Sequence, residues 1–335
     1  MEKIRKGLVQ MINPERWNFD SSRDHVFQGF EEEIDIFRSY LEDMGFSHYT
    51  YISYLEDLKL FFSFLHAKTS GSPNISDIGK REIQEFLRKA HRGKAKSTRN
   101  RRLMAIRTFF KSLVKADILD SNPALDVDTA KQEKNHLPIY LNDRELKALF
   151  EIIPRDAHYL RNKAILMLMG LAGLRVIEIH NLNVTDLIRI PDNPGLRVFG
   201  KGNKTRYIPL PFELYDLLLQ YEKFARPKPR SGDENAFFLS RLGKRISRRR
   251  IQEIAEEAFR NLKNLPDFSY LKDKPLSAHK LRHTFGTLKV QEGVDLVTIQ
   301  ELMGHSSLNT TQIYTHVNDE QKQKAMRSGD VAQFF

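Results

Sequence analysis

Residues that could act on a phosphodiester stand in five short segments of the second half of the chain. Breaking a phosphodiester concentrates negative charge on the non-bridging oxygens, and an arginine guanidinium offers them a planar fork of donors. A tyrosine hydroxyl can attack phosphorus and form a covalent phosphotyrosine, and a lysine in a hairpin turn can protonate the leaving 5′ oxygen. The segments are Gly173-Leu174-Arg175-Val176-Ile177-Glu178, Gly200-Lys201-Gly202-Asn203-Lys204, His279-Lys280-Leu281-Arg282-His283, Leu302-Met303-Gly304-His305 and Ile313-Tyr314-Thr315-His316.

Other chemistry finds little support in these residues. His279 and His283 have a spacing seen in metal sites, but the neighbouring Lys280 and Arg282 would repel a cation, and we predict no metal. No glycine-rich phosphate loop with a terminal Lys-Ser/Thr is present, which argues against ATP hydrolysis. The chain has no cysteine, which excludes disulfides and thiolate chemistry. We therefore expect no cofactor.

The charge of the chain points to a polyanion. The sequence has 54 basic and 43 acidic residues, a net charge of +11, and residues 80–115 carry 13 basic and two acidic side chains. Two separated basic faces fit a protein that grips duplex DNA from two sides by its phosphates. The predicted DNA-binding residues are Arg88, Lys89, Arg92, Lys94, Lys96, Arg99, Arg101, Arg102 and Arg107 in the first half, and Arg245, Arg248 and Arg249 in the second.

The length and the apolar pattern predict two domains that position these residues. The 335 residues divide into an N-terminal extension (1–30), a helical domain (31–120), a polar linker (121–138) and a second domain (139–335). The fold class is mostly α with a small antiparallel β-sheet. No apolar run approaches the roughly 18–20 residues of a membrane span, and no leader opens the chain; a cytoplasmic location is compatible with this composition.

In the first domain, apolar residues recur every three or four positions, which predicts four helices with aromatic residues in their core. In the second, Asn142 is predicted to cap a helix, and Tyr159–Leu171 forms a strongly apolar helix. Two short strands, near 197–199 and 206–210, flank the turn that contains Lys201. The further predicted helices are 212–224, 247–262, 279–292 and 297–303.

With these motifs in order over roughly 140 residues, the sequence resembles the tyrosine recombinase (phage integrase) family, and most closely its Xer branch. Five segments carry the resemblance: AGLRVIEI at 172–179, GKGNKTRYIPL at 200–210, HKLRHTF at 279–285, LMGHSS at 302–307 and TQIYTHV at 311–317. Residues 31–116 resemble the family's helical, SAM-like core-binding domain less specifically. The resemblance implies a DNA clamp made of that domain and an α+β catalytic domain with a C-terminal tail.

The resemblance also implies a role for each matching residue. Arg175 and Arg282 fall on the two arginines that clamp the scissile phosphate, and His279 falls on the histidine that assists proton transfer. His305 falls on a position that hydrogen-bonds and packs against the phosphate. Tyr314 falls on the nucleophile.

The general acid has two candidates in the hairpin turn. Lys201 falls on the family's general acid, and Lys204 is its rival, otherwise expected to bind DNA. Glu178 falls on an acidic position that helps to orient the site. Other residues near or resembling the motifs are expected to be structural: His283, His316, Tyr207, Tyr221 and Tyr270.

The function implied is site-specific recombination of double-stranded DNA through a 3′-phosphotyrosine. Family members bind a site with inverted arms as a dimer and pair two sites in a homotetramer, in some cases with an accessory protein. Chromosome dimer resolution and integration of a mobile element both fit this pattern. The alternatives are DNA relaxation by a type IB topoisomerase mechanism and a DNA-binding module without activity.

Overall fold

The chain folds into two compact units, residues 1–134 and 135–335. The computed structural model describes residues 26–68, 73–91, 93, 95–131, 139–200 and 205–304. The described helices of unit 1 are α1 (Glu31–Asp43), α2 (His48–Lys68), α3 (Lys80–His91) and α4 (Lys96–Lys115), with a 3₁₀ turn at Ile75–Asp77.

The core of unit 1 is aromatic, as the helical spacing predicts. Phe37, Phe62 and Phe109 are fully buried, and the ring of Phe109 packs edge-on against the other two, with centroids 5.6 and 5.5 Å away. Helix α1 ends at Asp43, and the chain turns at Gly45, whose φ of +64° is the left-handed conformation common at helix ends. These three aromatic side chains therefore stabilise the fold and are not available to stack on bases.

Unit 1 extends beyond the predicted domain boundaries at both ends. Phe27 and Phe30, within the predicted extension, are buried in the same core. In the predicted linker, residues 121–131 pack on unit 1, because Ala124 and Val127 are fully buried and the Asn100 side chain pairs with the backbone of Ala130. Isolated apolar residues in a polar stretch have no periodicity, so their burial does not show in the sequence pattern.

Unit 2 has a helical core around α6 (Tyr159–Leu171). Helix α6 matches the predicted range, and eight of its 13 residues are buried. Asn142 caps α5 (Asp143–Glu151) as predicted: its side chain accepts from the Glu145 N–H at 2.9 Å, and the Glu145 carboxylate accepts from the Asn142 N–H at 2.8 Å. The described helices are α5 (Asp143–Glu151), α6 (Tyr159–Leu171), α7 (Val176–Asn181), α8 (Phe212–Gln220), α9 (Arg248–Asn264), α10 (Ala278–Gln291) and α11 (Leu296–Met303).

The small antiparallel sheet has the strand order β1-β2-β3, with β1 (Leu187–Ile188), β2 (Gly195–Phe199) and β3 (Thr205–Pro209). Leu196 pairs with Ile208 and Val198 pairs with Arg206. Leu196, Val198 and Ile208 are buried, so the same face of the sheet, which packs on the core, also carries Arg206.

Among the described helices, none combines the length and the apolar character that a membrane span requires. The described residues likewise contain no group of three or more His, Asp or Glu side chains that could hold a metal ion.

Arg107 fastens the segment after α4, which gives a test of its structural role. Its guanidinium donates to the carbonyl oxygens of Ala124, Leu125 and Val127 at 3.0, 3.2 and 2.6 Å. We expect Arg107→Met to lower the free energy of unfolding by about 2 kcal/mol, because three carbonyls lose a charged donor. Urea unfolding measures this, with Lys111→Met, an exposed position on the same helix, as the control. Equal stability of the two variants would contradict the structural role.

Candidate active site

The site is organised around Glu178, in the first turn of α7. Arg175 precedes that helix, and its backbone N–H donates to Glu178 Oε2 at 2.8 Å while its Nη1 donates to Oε1 at 2.8 Å. Arg282 of α10 places its Nη1 3.7 Å from Oε2. The side chains of Glu178 and Arg282 are each only 2% exposed. The structure thus brings together three residues that the sequence assigned to one site.

A further arginine, Arg206 on β3, binds the same carboxylate. Its Nη1 donates to Glu178 Oε1 at 2.8 Å and its Nη2 to Oε2 at 2.9 Å, a bidentate pair. Sequence reasoning missed Arg206, although it lies within the quoted strand motif. The available signal was its position: in an alternating strand, Arg206 lies on the same face as the apolar Ile208, two residues later.

The same three arginines bind the last turn of α11. Arg206 Nε donates to the Leu302 carbonyl at 2.8 Å and Arg175 Nη2 to the Gly304 carbonyl at 3.0 Å, and Arg282 Nη2 donates to the Met303 carbonyl. Carbonyls at a helix C-terminus lack intrahelical partners and carry partial negative charge, so cations are favoured there. Gly304 ends the helix in the left-handed region, with φ 60° and ψ 50°.

Glu178 is ionised in this setting. Burial raises the pKa of its carboxyl, but the hydrogen bonds and charge of Arg206, the Arg175 N–H and the charge of Arg282 outweigh burial, so that the pKa lies below its ordinary value. One negative charge then faces three guanidinium groups. The cluster keeps an excess of two positive charges, which favours an anion nearby.

His279 lies one turn before Arg282 on α10, as their spacing predicts. Burial lowers the pKa of its imidazole, and the positive charges of Arg282, Lys280 and Arg175 lower it further. The ring packs edge-on against His283, with centroids 4.5 Å apart. His279 is therefore neutral at pH 7 and can accept a proton or a hydrogen bond.

A cleft of about 750 Å³ opens onto these residues. Arg175, His279 and Arg282 line it together with Arg248 and Arg249 at the start of α9. A surface with this many guanidinium groups matches the oxygens of a phosphate and, with α9 alongside, of neighbouring phosphates in a strand.

Several predicted site residues lie outside the described part of the chain. Gly304 is the residue before His305, and residues 201–204, with both candidate lysines, stand between β2 and β3 in the sequence. The predicted residues outside the described part are Arg92, Lys94, Lys201, Lys204, His305 and Tyr314.

The tyrosines that we expected to be structural have structural contacts. Tyr221 is buried, accepts a hydrogen bond from the Leu239 N–H at 3.1 Å, and has a pKa raised by burial. Tyr207 donates to Asn193, and Tyr270 donates to Glu145 Oε1 at 2.7 Å, which raises its pKa. A raised pKa disfavours the phenolate that a nucleophile needs.

The predicted DNA-binding arginines separate into two groups. Arg102 is 11% exposed in its side chain and binds the Ala90 carbonyl, and Arg107 is held by carbonyls as described above. Arg245 donates to the carbonyls of His180 and Leu182 at 2.9 and 3.1 Å and to Asn183 Oδ1 at 2.7 Å. Intramolecular contacts take up part of the hydrogen-bonding capacity of these three side chains, and their contact with DNA stays a prediction.

The other group is more accessible. Arg88, Lys89 and Lys96 are exposed on α3 and α4, and Lys89 pairs with Glu85 at 3.0 Å. Arg99 donates to the Asp128 carbonyl at 2.9 Å, and Arg101 binds Ser53 and the buried Asp57 with its side chain still 45% exposed. In unit 2, Arg249 is 72% exposed while bonded to Glu253.

Known proteins match the chain in both units. The model of the phage integrase family matches residues 140–321, and that of the phage integrase N-terminal SAM-like domain matches residues 34–117. Tyrosine recombinase XerC of Pelobacter propionicus is 35% identical over 294 residues, 87% of this chain and 92% of the relative. Tyrosine recombinase XerD of Oceanobacillus iheyensis is 33% identical over 288 residues, 84% and 92% of the two chains.

Solved structures are similar as well. The XerH recombinase in its pre-cleavage complex with difH has a TM-score of 0.65 at 25% identity, over 82% of this chain and 78% of that one. A lambda integrase dimer on a COC′ core site has the same score at 16% identity, over 84% and 96%, a likeness of fold alone. The predicted fold and resemblance are confirmed: this chain belongs to the phage integrase family and resembles its Xer tyrosine recombinases over most of its length.

Proposed function

We propose that this protein is a site-specific DNA recombinase that cuts and rejoins duplex DNA through a 3′-phosphotyrosine intermediate. The observation that carries the proposal is the cleft in which Arg175, Arg282 and a neutral His279 meet, with two guanidinium groups fixed by one buried carboxylate. Relatives named XerC and XerD, matched over more than four fifths of this chain, support it.

Arg175 and Arg282 bind the scissile phosphate in this proposal. Both side chains are anchored before DNA arrives, Arg175 by Glu178 and Gly304 and Arg282 by the carbonyls of Gly173 and Met303. Donors held in advance need no reorganisation as charge develops on the phosphate oxygens. The excess positive charge of the cluster stabilises that charge.

The nucleophile is Tyr314 and the general acid is Lys201, with Lys204 as the rival. The tyrosine hydroxyl gives its proton to neutral His279 and its oxygen attacks phosphorus, the bond from phosphorus to the 5′ oxygen breaks, and the lysine gives that oxygen its proton. A 5′ hydroxyl of the partner duplex then reverses the step. The phosphotyrosine conserves the bond energy, so the reaction as written uses neither ATP nor a metal. His279 assists the proton movements, and His305 supports the phosphate.

The proposed assembly is a dimer on each DNA site with inverted arms and a homotetramer that pairs two sites. Solved neighbours include XerH on a palindromic difH substrate and a lambda integrase dimer on a core site. Chromosome dimer resolution and element integration both use such assemblies, with or without an accessory protein. A chromosomal DNA substrate also fits the cytoplasmic location predicted from the sequence.

The alternatives are not favoured. Relaxation by a type IB topoisomerase would use similar chemistry, but the relatives matched over most of the chain are recombinases. An inactive binding module would not need the arginine cluster to remain intact around Glu178. Strand exchange between two sites distinguishes a recombinase from a topoisomerase, and a covalent adduct distinguishes both from a binding module.

The adduct is the first test. The full-length protein selects a binding duplex from a random-sequence pool, and nicked versions of that duplex trap a covalent complex, detected on a denaturing gel. We expect Tyr314→Phe to bind this duplex as the wild type does but to form no adduct, because only the hydroxyl is lost. Tyr221→Phe is the matched control and should still form the adduct. A covalent complex with Tyr314→Phe would place the nucleophile elsewhere.

The exposed basic residues of unit 1 are expected to contact phosphates rather than bases. Replacing both Arg88 and Lys89 by Gln should weaken binding to every duplex and reduce the slope of log affinity against log salt by about one unit per lost contact. Arg38→Gln, outside residues 80–115 and paired with Asp35, should leave the slope unchanged. Loss of sequence preference at unchanged affinity would instead identify Arg88 and Lys89 as base readers.

The lowered pKa of His279 predicts the acid limb of the pH–rate profile, the decline of the cleavage rate at low pH. If neutral His279 is required, the rate of single-turnover cleavage should stay constant as the pH falls to 6.5, the ordinary pKa of a histidine. The rate should decline only below that pH. His279→Gln should be slow and lack this limb. His158, whose pKa is also lowered by burial and by Arg161, lies outside the residues that line the cleft, so His158→Gln should keep the limb. A midpoint above 6.5 would contradict the assignment.

A further inference from the structure

The proposed mechanism leaves Arg206 without a role. Its side chain is only 13% exposed, yet it makes three hydrogen bonds of 2.8–2.9 Å within the active site. Two of them reach the carboxylate that also binds Arg175, and one reaches the last turn of α11.

The strand register explains why Arg206 needs these partners. It faces the core side of the sheet beside Val198 and Ile208, where an apolar residue would serve stability better. A buried ion pair seldom adds net stability compared with apolar residues of similar volume. An arginine at this position therefore suggests a requirement other than stability.

The contacts of Arg206 join two segments that lead directly to proposed catalytic residues. Through its own backbone it belongs to β3, which begins at Thr205, immediately after residues 201–204. Through Nε it holds the Leu302 carbonyl, three residues before His305.

Gly304 shows how closely this guanidinium approaches the end of α11. A Cβ at Gly304 would stand 2.9 Å from Arg206 Nη1, closer than real Cβ contacts. The end of α11 and Arg206 are therefore packed together, not merely hydrogen-bonded.

We propose that Arg206 is a positioning residue for strand cleavage, which locks the hairpin strand β3 to Glu178 and to the end of α11. The inference rests on the proposed function. Arg206 aligns the hairpin lysine with the 5′ oxygen in this proposal, so that this oxygen receives its proton as the bond from phosphorus breaks. Arg206 itself does not touch the reacting atoms.

Lysine at this position tests the geometry without removing the charge. Its ammonium group cannot make the planar, two-pronged contact with Glu178 and hold the Leu302 carbonyl at the same time. Arg197→Lys is the matched control: Arg197 lies on the neighbouring strand and uses Nε and Nη2 to bind the buried Asp186 at 3.3 and 3.2 Å, away from the Glu178 cluster.

The experiment measures single-turnover cleavage of the pool-selected duplex in two forms, with oxygen or sulfur as the 5′ bridging atom. Sulfur leaves as a thiolate and needs no proton, so it reports cleavage without the general acid. We expect Arg206→Lys to be slower by about tenfold or more on the oxygen substrate and to recover most of that loss on the sulfur substrate. Lys201→Ala should show the same recovery, and Arg197→Lys should cleave both forms at nearly the wild-type rate.

The ratio of the two rates is independent of the fraction of folded protein, because misfolding would lower both rates equally. An equal loss on both substrates, or a wild-type rate for Arg206→Lys on the oxygen substrate, would overturn the positioning role. The proposed function has its own readout: a wild-type protein that forms no covalent complex with either substrate would overturn that function instead.

Discussion

The buried carboxylate of Glu178 is the constraint on which the active site depends. It carries a full negative charge in a place where a lone charge would be costly, and three arginines from separate parts of the chain compensate it. Removing one partner of such a buried group costs about 3–5 kcal/mol, because the remaining charge is left unpaired. Glu178 therefore fixes how α7, β3 and α10 meet, and the guanidinium groups also fix the end of α11 through its carbonyls.

Arginine serves two purposes in this molecule, and its environment decides which. Arg107 and Arg245 donate hydrogen bonds to backbone carbonyls of irregular segments, where those carbonyls have few other partners. Arg88 and Arg249 keep exposed side chains. Some of the basic residues thus stabilise the fold, and the net charge of +11 does not by itself say which of them DNA could contact.

The sequence predicted the structural features that depend on patterns of neighbouring residues. The strongly apolar character of α6 located that helix to the residue, Asn142 identified the cap of α5, and the motif residues Arg175, His279 and Arg282 do converge in one cleft. It did not predict the packing of Ala124 and Val127, because two apolar residues in a polar stretch form no period. Arg206 was missed because its partners lie 28 and 96 residues away, and only the register of β3 brings them together.

The same electrostatics connect the cleft to its proposed substrate. Glu178 balances only one of the three guanidinium charges around it, and burial together with these cations keeps His279 from adding another. The cluster thus retains an affinity for an anion, and a ligand that binds only the folded state stabilises that state. A phosphodiester placed between Arg175 and Arg282 would supply the missing negative charge. In the proposed reaction, the phosphodiester that neutralises the arginine cluster is also the group that is cut. The negative charge that develops on it during cleavage strengthens its contacts with Arg175 and Arg282.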